Sequence, residues 1–167
     1  SAAGVAILVA SAAPEISGPS DAGNPASLRS SLTSANLIEC PTSQSATGSG
    51  LLGPLGGILS VGGISINIPA GALLGDALVT VTVPASRYME VDISVAGHEH
   101  FIFELPVVVT MSYARCNRSN FDFRPLSAWY IDSETKEPVE RMPSIDNKLL
   151  KTVTFTTGHL SGYAVAN

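Results

Sequence analysis

The stretch Gly56-Gly-Ile-Leu-Ser-Val-Gly-Gly-Ile-Ser-Ile-Asn-Ile-Pro-Ala-Gly-Ala72 decides the fold class. Its central part alternates apolar and polar side chains: Ile64, Ser65, Ile66, Asn67 and Ile68. Because successive side chains of a β-strand point to opposite faces of a sheet, this alternation predicts a half-buried strand. The pair Gly62-Gly63 and the run Pro69-Ala-Gly71 flank the strand and predict turns.

The same alternation recurs along the chain as far as Val165. It predicts strands around Val79, Val81 and Val83; Phe101, Phe103 and Leu105; Val107, Val109, Met111 and Tyr113; Val153 and Phe155; and Tyr163 and Val165. Shorter strands are predicted at Val91 to Ser94 and at Ala128 to Ile131. Gly and Pro residues separate these runs. The sequence therefore predicts an all-β protein, an antiparallel β-sandwich of about seven to nine strands.

Residues 1–50 differ in composition from the rest of the chain. They contain 11 Ser, 5 Gly and 4 Pro and no aromatic residue, whereas all ten aromatic residues lie between Tyr88 and Tyr163. Aromatic side chains dominate core burial. We therefore predict a Ser/Gly-rich N-terminal arm over residues 1–50 and a β-sandwich domain over residues 51–167. The arm is expected to be extended or partly helical, with a short helix over Pro25 to Leu37.

The arm begins with an apolar stretch, residues 1–13, that resembles the tail of a signal peptide and includes an A-x-A pattern at Ala10-Ser11-Ala12. Thirteen residues are fewer than the about 20 that a membrane span needs. The arm has too little apolar surface to offset the entropy lost on ordering its backbone. We therefore expect a partner to order it. The expected docking residues are Val5, Ile7, Leu8 and Val9, and membrane contact is expected only through this stretch.

The alternative for the arm is that it packs on its own sandwich. In that case the contacts would come from its larger aliphatic residues, Leu28, Leu32, Leu37 and Ile38.

Charge and cysteine content bear on partners and compartment. The net charge is −5, and no cluster of Lys and Arg is present that could hold a phosphate backbone, so no nucleic-acid partner is expected. Cys40 and Cys116 could be buried thiols, a redox pair or a disulfide; they lack CxxC spacing. Only 14% of residues are charged, as in many exported proteins. We predict a disulfide and an extracytoplasmic location, either periplasmic or at the cell surface.

Three motifs in order suggest a family. They are the quoted stretch at 56–72, Phe103-Glu-Leu-Pro-Val-Val-Val-Thr-Met-Ser-Tyr113, and His159-Leu-Ser-Gly-Tyr-Ala164. Over roughly residues 51–166 the chain resembles the β-sandwich module of ankyrins, zonula-occludens proteins and netrin receptors. It is more similar still to bacterial exported relatives that end in His-Phe-Ser-Gly-Tyr. The resemblance implies a binding or scaffolding role and no enzymatic activity.

The third motif also allows a reaction. Some relatives, and the autoproteolytic domain of adhesion receptors, cut themselves before the Ser or Thr of a His-hydrophobic-Ser/Thr tripeptide, which His159, Leu160 and Ser161 match. His159 would take the proton of Ser161 Oγ, which would attack the Leu160 carbonyl in a strained turn. The simpler interpretation is that His159 and Ser161 hydrogen-bond at the start of the last strand, with the chain uncut.

Other candidate groups are interpreted as structural. His98 and His100 share one strand face but lack further metal ligands nearby, unless His159 approaches in space. Asp132-Ser-Glu-Thr-Lys136 is predicted as a hairpin tip. Trp129 and Tyr130 face opposite sides of one strand, and we predict that one is in the core. No metal and no cofactor are expected.

The sequence favours a non-catalytic, extracytoplasmic structural or interaction subunit. We expect it to dock through its arm on a larger membrane-associated assembly, such as a respiratory or photosynthetic complex. The alternatives are a free-standing adhesion or carbohydrate-binding domain, and a module that cuts itself before Ser161.

Overall fold

A computed structural model describes residues 37–116 and 124–167. The expected docking residues Val5, Ile7, Leu8 and Val9 lie outside these ranges. So does the predicted helix over Pro25 to Leu37, apart from its last residue. The described residues are all-β and contain no helix, and hence none long and apolar enough to cross a membrane.

Thirteen strands make up the described part of the chain. They are β1 (Glu39–Thr42), β2 (Ala46–Leu52), β3 (Gly57–Val61), β4 (Ile64–Ile68), β5 (Ala77–Val83), β6 (Ser86–Tyr88), β7 (Glu90–Val95), β8 (Ile102–Ser112), β9 (Ser127–Ile131), β10 (Pro138–Arg141), β11 (Ser144–Asn147), β12 (Thr152–His159) and β13 (Gly162–Ala166). One sheet has six strands in the order β10-β9-β13-β7-β5-β2, and a second has five in the order β11-β12-β8-β4-β3. The short strands β1 and β6 pair with each other.

The expectation of an antiparallel β-sandwich is confirmed, but the predicted number of strands was too low. Four of the additional strands, β1, β6, β10 and β11, have only three or four residues. A period-two pattern needs about four to eight residues to be recognised. Strands this short therefore leave little trace in the sequence.

The inward faces of the two large sheets form one core. In β5, the side chains of Val79, Val81 and Val83 are buried while the threonines between them are only partly covered. In the facing sheet, Phe155 of β12 lies 4.8 Å from Tyr163 of β13, measured between ring centroids. Burying a side chain of this size contributes roughly 1.5–3 kcal/mol. The alternation in the sequence thus corresponds to the division between core and outer face.

Glycines at two turns are required by the backbone. Gly62 and Gly63 form the two-residue loop between β3 and β4, with φ of 56° and 81°. This is the geometry of a type I′ hairpin turn, which glycine adopts without steric cost. Gly56 has φ of 71°, and a Cβ there would clash with the Ile68 carbonyl oxygen. These glycine turns fix the register of β3 against β4.

The sandwich extends further towards the N-terminus than the predicted boundary at residue 50. β2 begins at Ala46 and pairs along its whole length with β5, so the sandwich includes it. Further towards the N-terminus, Ile38 is fully buried, and its N–H donates to the Val165 carbonyl at 3.0 Å. Leu37 forms a bridge with Ala166. The residues from 37 onward therefore pack on the sandwich. Leu37 and Ile38 are two of the contact residues expected if the arm packs on its own sandwich.

Among the described residues, acidic side chains predominate at one end of the sandwich and basic side chains at the other. We call one the acidic end: its loops include residues 53–56, 69–76, 96–101, 132–137 and 160–161, and its exposed acidic residues are Asp76, Glu99, Glu104, Asp132, Glu134 and Glu137. We call the other the basic end: its loops include residues 62–63, 113–116 and 147–151, and its basic residues are Arg115, Arg124, Lys148 and Lys151.

Candidate functional site

Two neighbouring clefts lie at the acidic end. The larger, of about 450 Å³, is lined by the 98–101 loop, by the start of the β9–β10 turn and by Leu160, Ser161 and Gly162. The smaller, of about 330 Å³, lies between the 72–78 segment and the start of β8. His98 and Phe101 contribute to both. This end therefore gathers the candidate His, Ser and carboxylate residues of the sequence.

The His159–Tyr163 segment forms a hydrogen-bonded corner between β12 and β13. The Tyr163 hydroxyl donates to the His159 carbonyl oxygen at 2.8 Å and lies 2.8 Å from the Thr157 hydroxyl. The His159 N–H in turn donates to Thr157 Oγ1 at 3.3 Å. A tyrosine that bonds back to the backbone a few residues upstream is a known feature of β-sandwich corners. The histidine-to-tyrosine motif thus has a structural role.

Burial changes the acidity of this tyrosine. The ring of Tyr163 is fully buried, which raises the pKa of its hydroxyl to about 12, since the phenolate would be desolvated. The hydrogen bond with Thr157 opposes the rise, and Tyr130 and Glu140 add to it. Tyr163 is therefore a neutral hydrogen-bond donor at physiological pH.

The tripeptide proposed for self-cleavage has no assembled proton relay. The His159 ring packs edge-on against Tyr130 at 5.4 Å, and its Nδ1 lies 3.4 Å from the Tyr163 hydroxyl. Ser161 lines the larger cleft, and in the described structure no hydrogen bond joins its hydroxyl to His159. The backbone of this segment is hydrogen-bonded to neighbouring segments: the Leu160 N–H donates to the Phe101 carbonyl, and the Ser161 carbonyl accepts from the Ile93 N–H. The hydrogen bond expected between His159 and Ser161 is replaced by one from Tyr163.

His98 and His100 lie in the larger cleft with Glu99, but they do not converge with other ligands. The His98 ring packs edge-on against Phe101, with centroids 5.3 Å apart. Across the described ranges, no three His, Cys, Asp or Glu residues come close enough to hold a metal ion. The approach of His159 to this pair, left open by the sequence, does not produce a three-ligand group.

The predicted hairpin tip at 132–136 is confirmed. Asp132 Oδ1 accepts hydrogen bonds from the N–H groups of Thr135 and Glu134 and from the Thr135 hydroxyl, which lower the pKa of Asp132. Lys136, with φ of 60°, extends from the tip to Glu90, and its Nζ lies 3.1 Å from Glu90 Oε2. Glu90 is almost fully buried, a position sequence reasoning missed because it follows the apolar Met89 without a distinguishing pattern.

The two adjacent aromatic residues of β9 are both half-buried. Tyr130 packs against the core beside Tyr163, with centroids 6.2 Å apart. Trp129 is on the outer face, opposite Arg141 of β10. The prediction that the two rings face opposite sides is confirmed; the core-facing one lies at the margin of the core.

An exposed aliphatic surface surrounds the smaller cleft. Leu74, Leu78 and Ile102 line it, and Leu51 lies opposite Leu78 across β2 and β5. We call these four residues the aliphatic rim. Leu74 and Ile102 are 82% and 77% exposed. Asp76 and Glu104 line the same cleft. Sequence reasoning missed this surface, because nothing in the pattern separates these side chains from core leucines.

The disulfide predicted between Cys40 and Cys116 is present. Both residues are buried, and Cys116 Sγ lies 4.0 Å from Met89 Sδ. Arg115 Nη1 donates to the Cys40 carbonyl at 3.2 Å. The bond attaches β1 to the loop that follows β8, which is compatible with an oxidising compartment.

Comparison with protein-family models finds no match, and a search of curated protein sequences finds no significant similarity. The resemblance to the ankyrin, zonula-occludens and netrin-receptor module therefore stays a prediction.

Proposed function

We propose that this protein is a non-catalytic interaction module that binds a protein partner through the aliphatic rim. The main support for the proposal is that the four aliphatic side chains of the rim are exposed around a cleft. Single exposed leucines are ordinary, but clustered ones around a concavity are typical of interaction sites. The acidic side chains of Asp76 and Glu104 beside the rim favour a partner that presents aliphatic residues flanked by Lys or Arg.

The environment of the third motif supports a non-catalytic role. His159 is engaged with Tyr130 and Tyr163, and Ser161 does not share a hydrogen bond with it within the described residues. A general base must reach the proton it removes. The tyrosine corner gives the same residues a folding role that needs no reaction.

An extracytoplasmic location, periplasmic or at the cell surface, belongs to the same proposal. A disulfide persists where thiols are not kept reduced. The rim would then meet a partner on that side of a membrane. The apolar residues Val5, Ile7, Leu8 and Val9 supply a second point of docking in this proposal. A membrane-associated assembly, such as a respiratory or photosynthetic complex, is the proposed partner.

The proposal is tested by native electrophoresis of the envelope fraction from cells that make the protein. We expect the full chain to migrate in a large assembly, and a Leu74→Lys, Ile102→Lys variant to migrate as the free protein. The matched control is Ile58→Lys, an exposed aliphatic position on β3 that does not line the cleft. Unaltered migration of the rim variant, or equal loss in the control, would contradict the proposal.

A further inference from the structure

The hairpin between β11 and β12 presents two exposed leucines at the basic end. Leu149 and Leu150 are 89% and 65% exposed. The tip is held in a defined conformation: Asn147 Oδ1 accepts from Leu150 N–H at 3.0 Å, and Lys151 adopts φ of 56°. The Lys151 carbonyl accepts from Tyr113 N–H at 2.8 Å. The leucines are therefore displayed by ordered structure.

Basic side chains surround this tip. Lys148 and Lys151 flank the two leucines directly, and Arg115 and Arg124 lie at the same end. One carboxylate, that of Asp146, lies in the same hairpin, where it accepts hydrogen bonds from the Tyr113 hydroxyl at 2.8 Å and from Leu126 N–H at 3.0 Å. Exposed aliphatic residues bordered by Lys and Arg are the combination that favours an anionic lipid surface.

The start of the described chain lies at the same end. Leu37 bridges Ala166 at the last strand, and Cys40 is bonded to Cys116, close to Tyr113 and the tip. The 36 residues before Leu37, with their apolar stretch at Val5 to Ala10, therefore join the sandwich on the side where the leucine tip projects.

We propose that Leu149 and Leu150, with Lys148 and Lys151, form a contact site for an anionic lipid surface. The leucines enter the headgroup region, and the basic side chains lie against the negatively charged headgroups. The acidic end, with the aliphatic rim, then points away from the membrane and stays accessible to a protein partner. The site is distinct from the rim, so either can fail without the other.

The test is co-sedimentation of the full, disulfide-bonded chain with phosphatidylcholine vesicles, with or without phosphatidylglycerol. We expect binding only to the anionic vesicles. The double variant Leu149→Ser, Leu150→Ser should bind at least about tenfold more weakly, since both aliphatic anchors are removed. The variant Lys148→Gln should also weaken binding. Raising salt to about 1 M, which shortens the Debye length to about 3 Å, should release much of the wild type.

The matched control is Leu55→Ser, Ile58→Ser, which removes two similarly exposed aliphatic side chains that belong neither to the tip nor to the aliphatic rim. It should bind the anionic vesicles as the wild type does. Because every variant retains residues 1–36, unchanged binding of the Leu149→Ser, Leu150→Ser protein would assign the contact to another segment and overturn the proposal. Absence of wild-type binding, equal loss in the control, or equal binding to neutral vesicles would overturn it as well.

Discussion

Removal of the Cys40–Cys116 disulfide should strongly destabilise the protein. The two cysteines are 76 residues apart in sequence. In the chain-entropy description, a cross-link that closes a loop of this length lowers the free energy of folding by about 4.5 kcal/mol. The total free energy of unfolding of a small domain is about 5–15 kcal/mol. The bond therefore supplies about 30% or more of the free energy of unfolding expected for a domain of this kind.

The assay is urea denaturation of the oxidised wild type, of the Cys40→Ala, Cys116→Ala variant and of the wild type kept reduced. With a slope of about 2 kcal/mol per molar urea, the midpoint should fall by roughly 2 M. The reduced wild type is the matched control, because it keeps both sulfur atoms in the core and lacks only the bond. A loss below about 1 kcal/mol in both samples would refute the loop-closure reasoning.

Three further predictions concern single groups. Burial raises the pKa of Tyr163 from 10.0 to about 12, so its contribution to the free energy of unfolding is complete below pH 10 and is lost as pH rises towards 12. Urea denaturation across that range should show a smaller alkaline loss of stability for Tyr163→Phe than for the wild type. If the free energy of unfolding falls equally with pH in both proteins, the phenol is not responsible. Lys136→Met should cost about 1–3 kcal/mol by leaving Glu90 without its ion pair, and in a double-mutant cycle with Glu90→Gln a coupling of zero would show that the pair is inert. The chain should stay uncut at Leu160–Ser161, so mass spectrometry should find residues 161–167 covalently joined to the rest of the chain; a mass lacking residues 161–167 would contradict the tyrosine-corner interpretation.

Much of the sandwich could be predicted from the sequence because its core strands alternate strongly. Val79, Val81 and Val83 are buried as the period-two pattern requires. Residues 46–50 of β2 fall within the predicted arm, and the inward positions there include Gly48 and Gly50, which carry no apolar side chain. The structure explains the choice at Gly48: a Cβ there would clash with the Val61 side chain of β3. A strand that needs glycine for close packing resembles a loop in sequence.

The site could be predicted only in part. The motif from His159 to Tyr163 was recognised, but its chemistry depends on which atom the Tyr163 hydroxyl contacts, and spacing alone does not give that distance. The disulfide was one of three open possibilities, since two cysteines far apart in sequence can be paired only by the fold. The aliphatic rim and the leucine tip depend on exposure, which is a property of the folded surface.

Site-specific photo-cross-linking tests the proposed interaction role most directly. A photoreactive amino acid replaces Leu74 in one sample and Ile58 in another, and cells that make the protein are irradiated intact. The account predicts a discrete adduct with one protein from position 74, absent from position 58 and lost when Ile102→Lys is added. No adduct from position 74, or the same adducts from both positions, would contradict the assignment of the aliphatic rim as the binding surface.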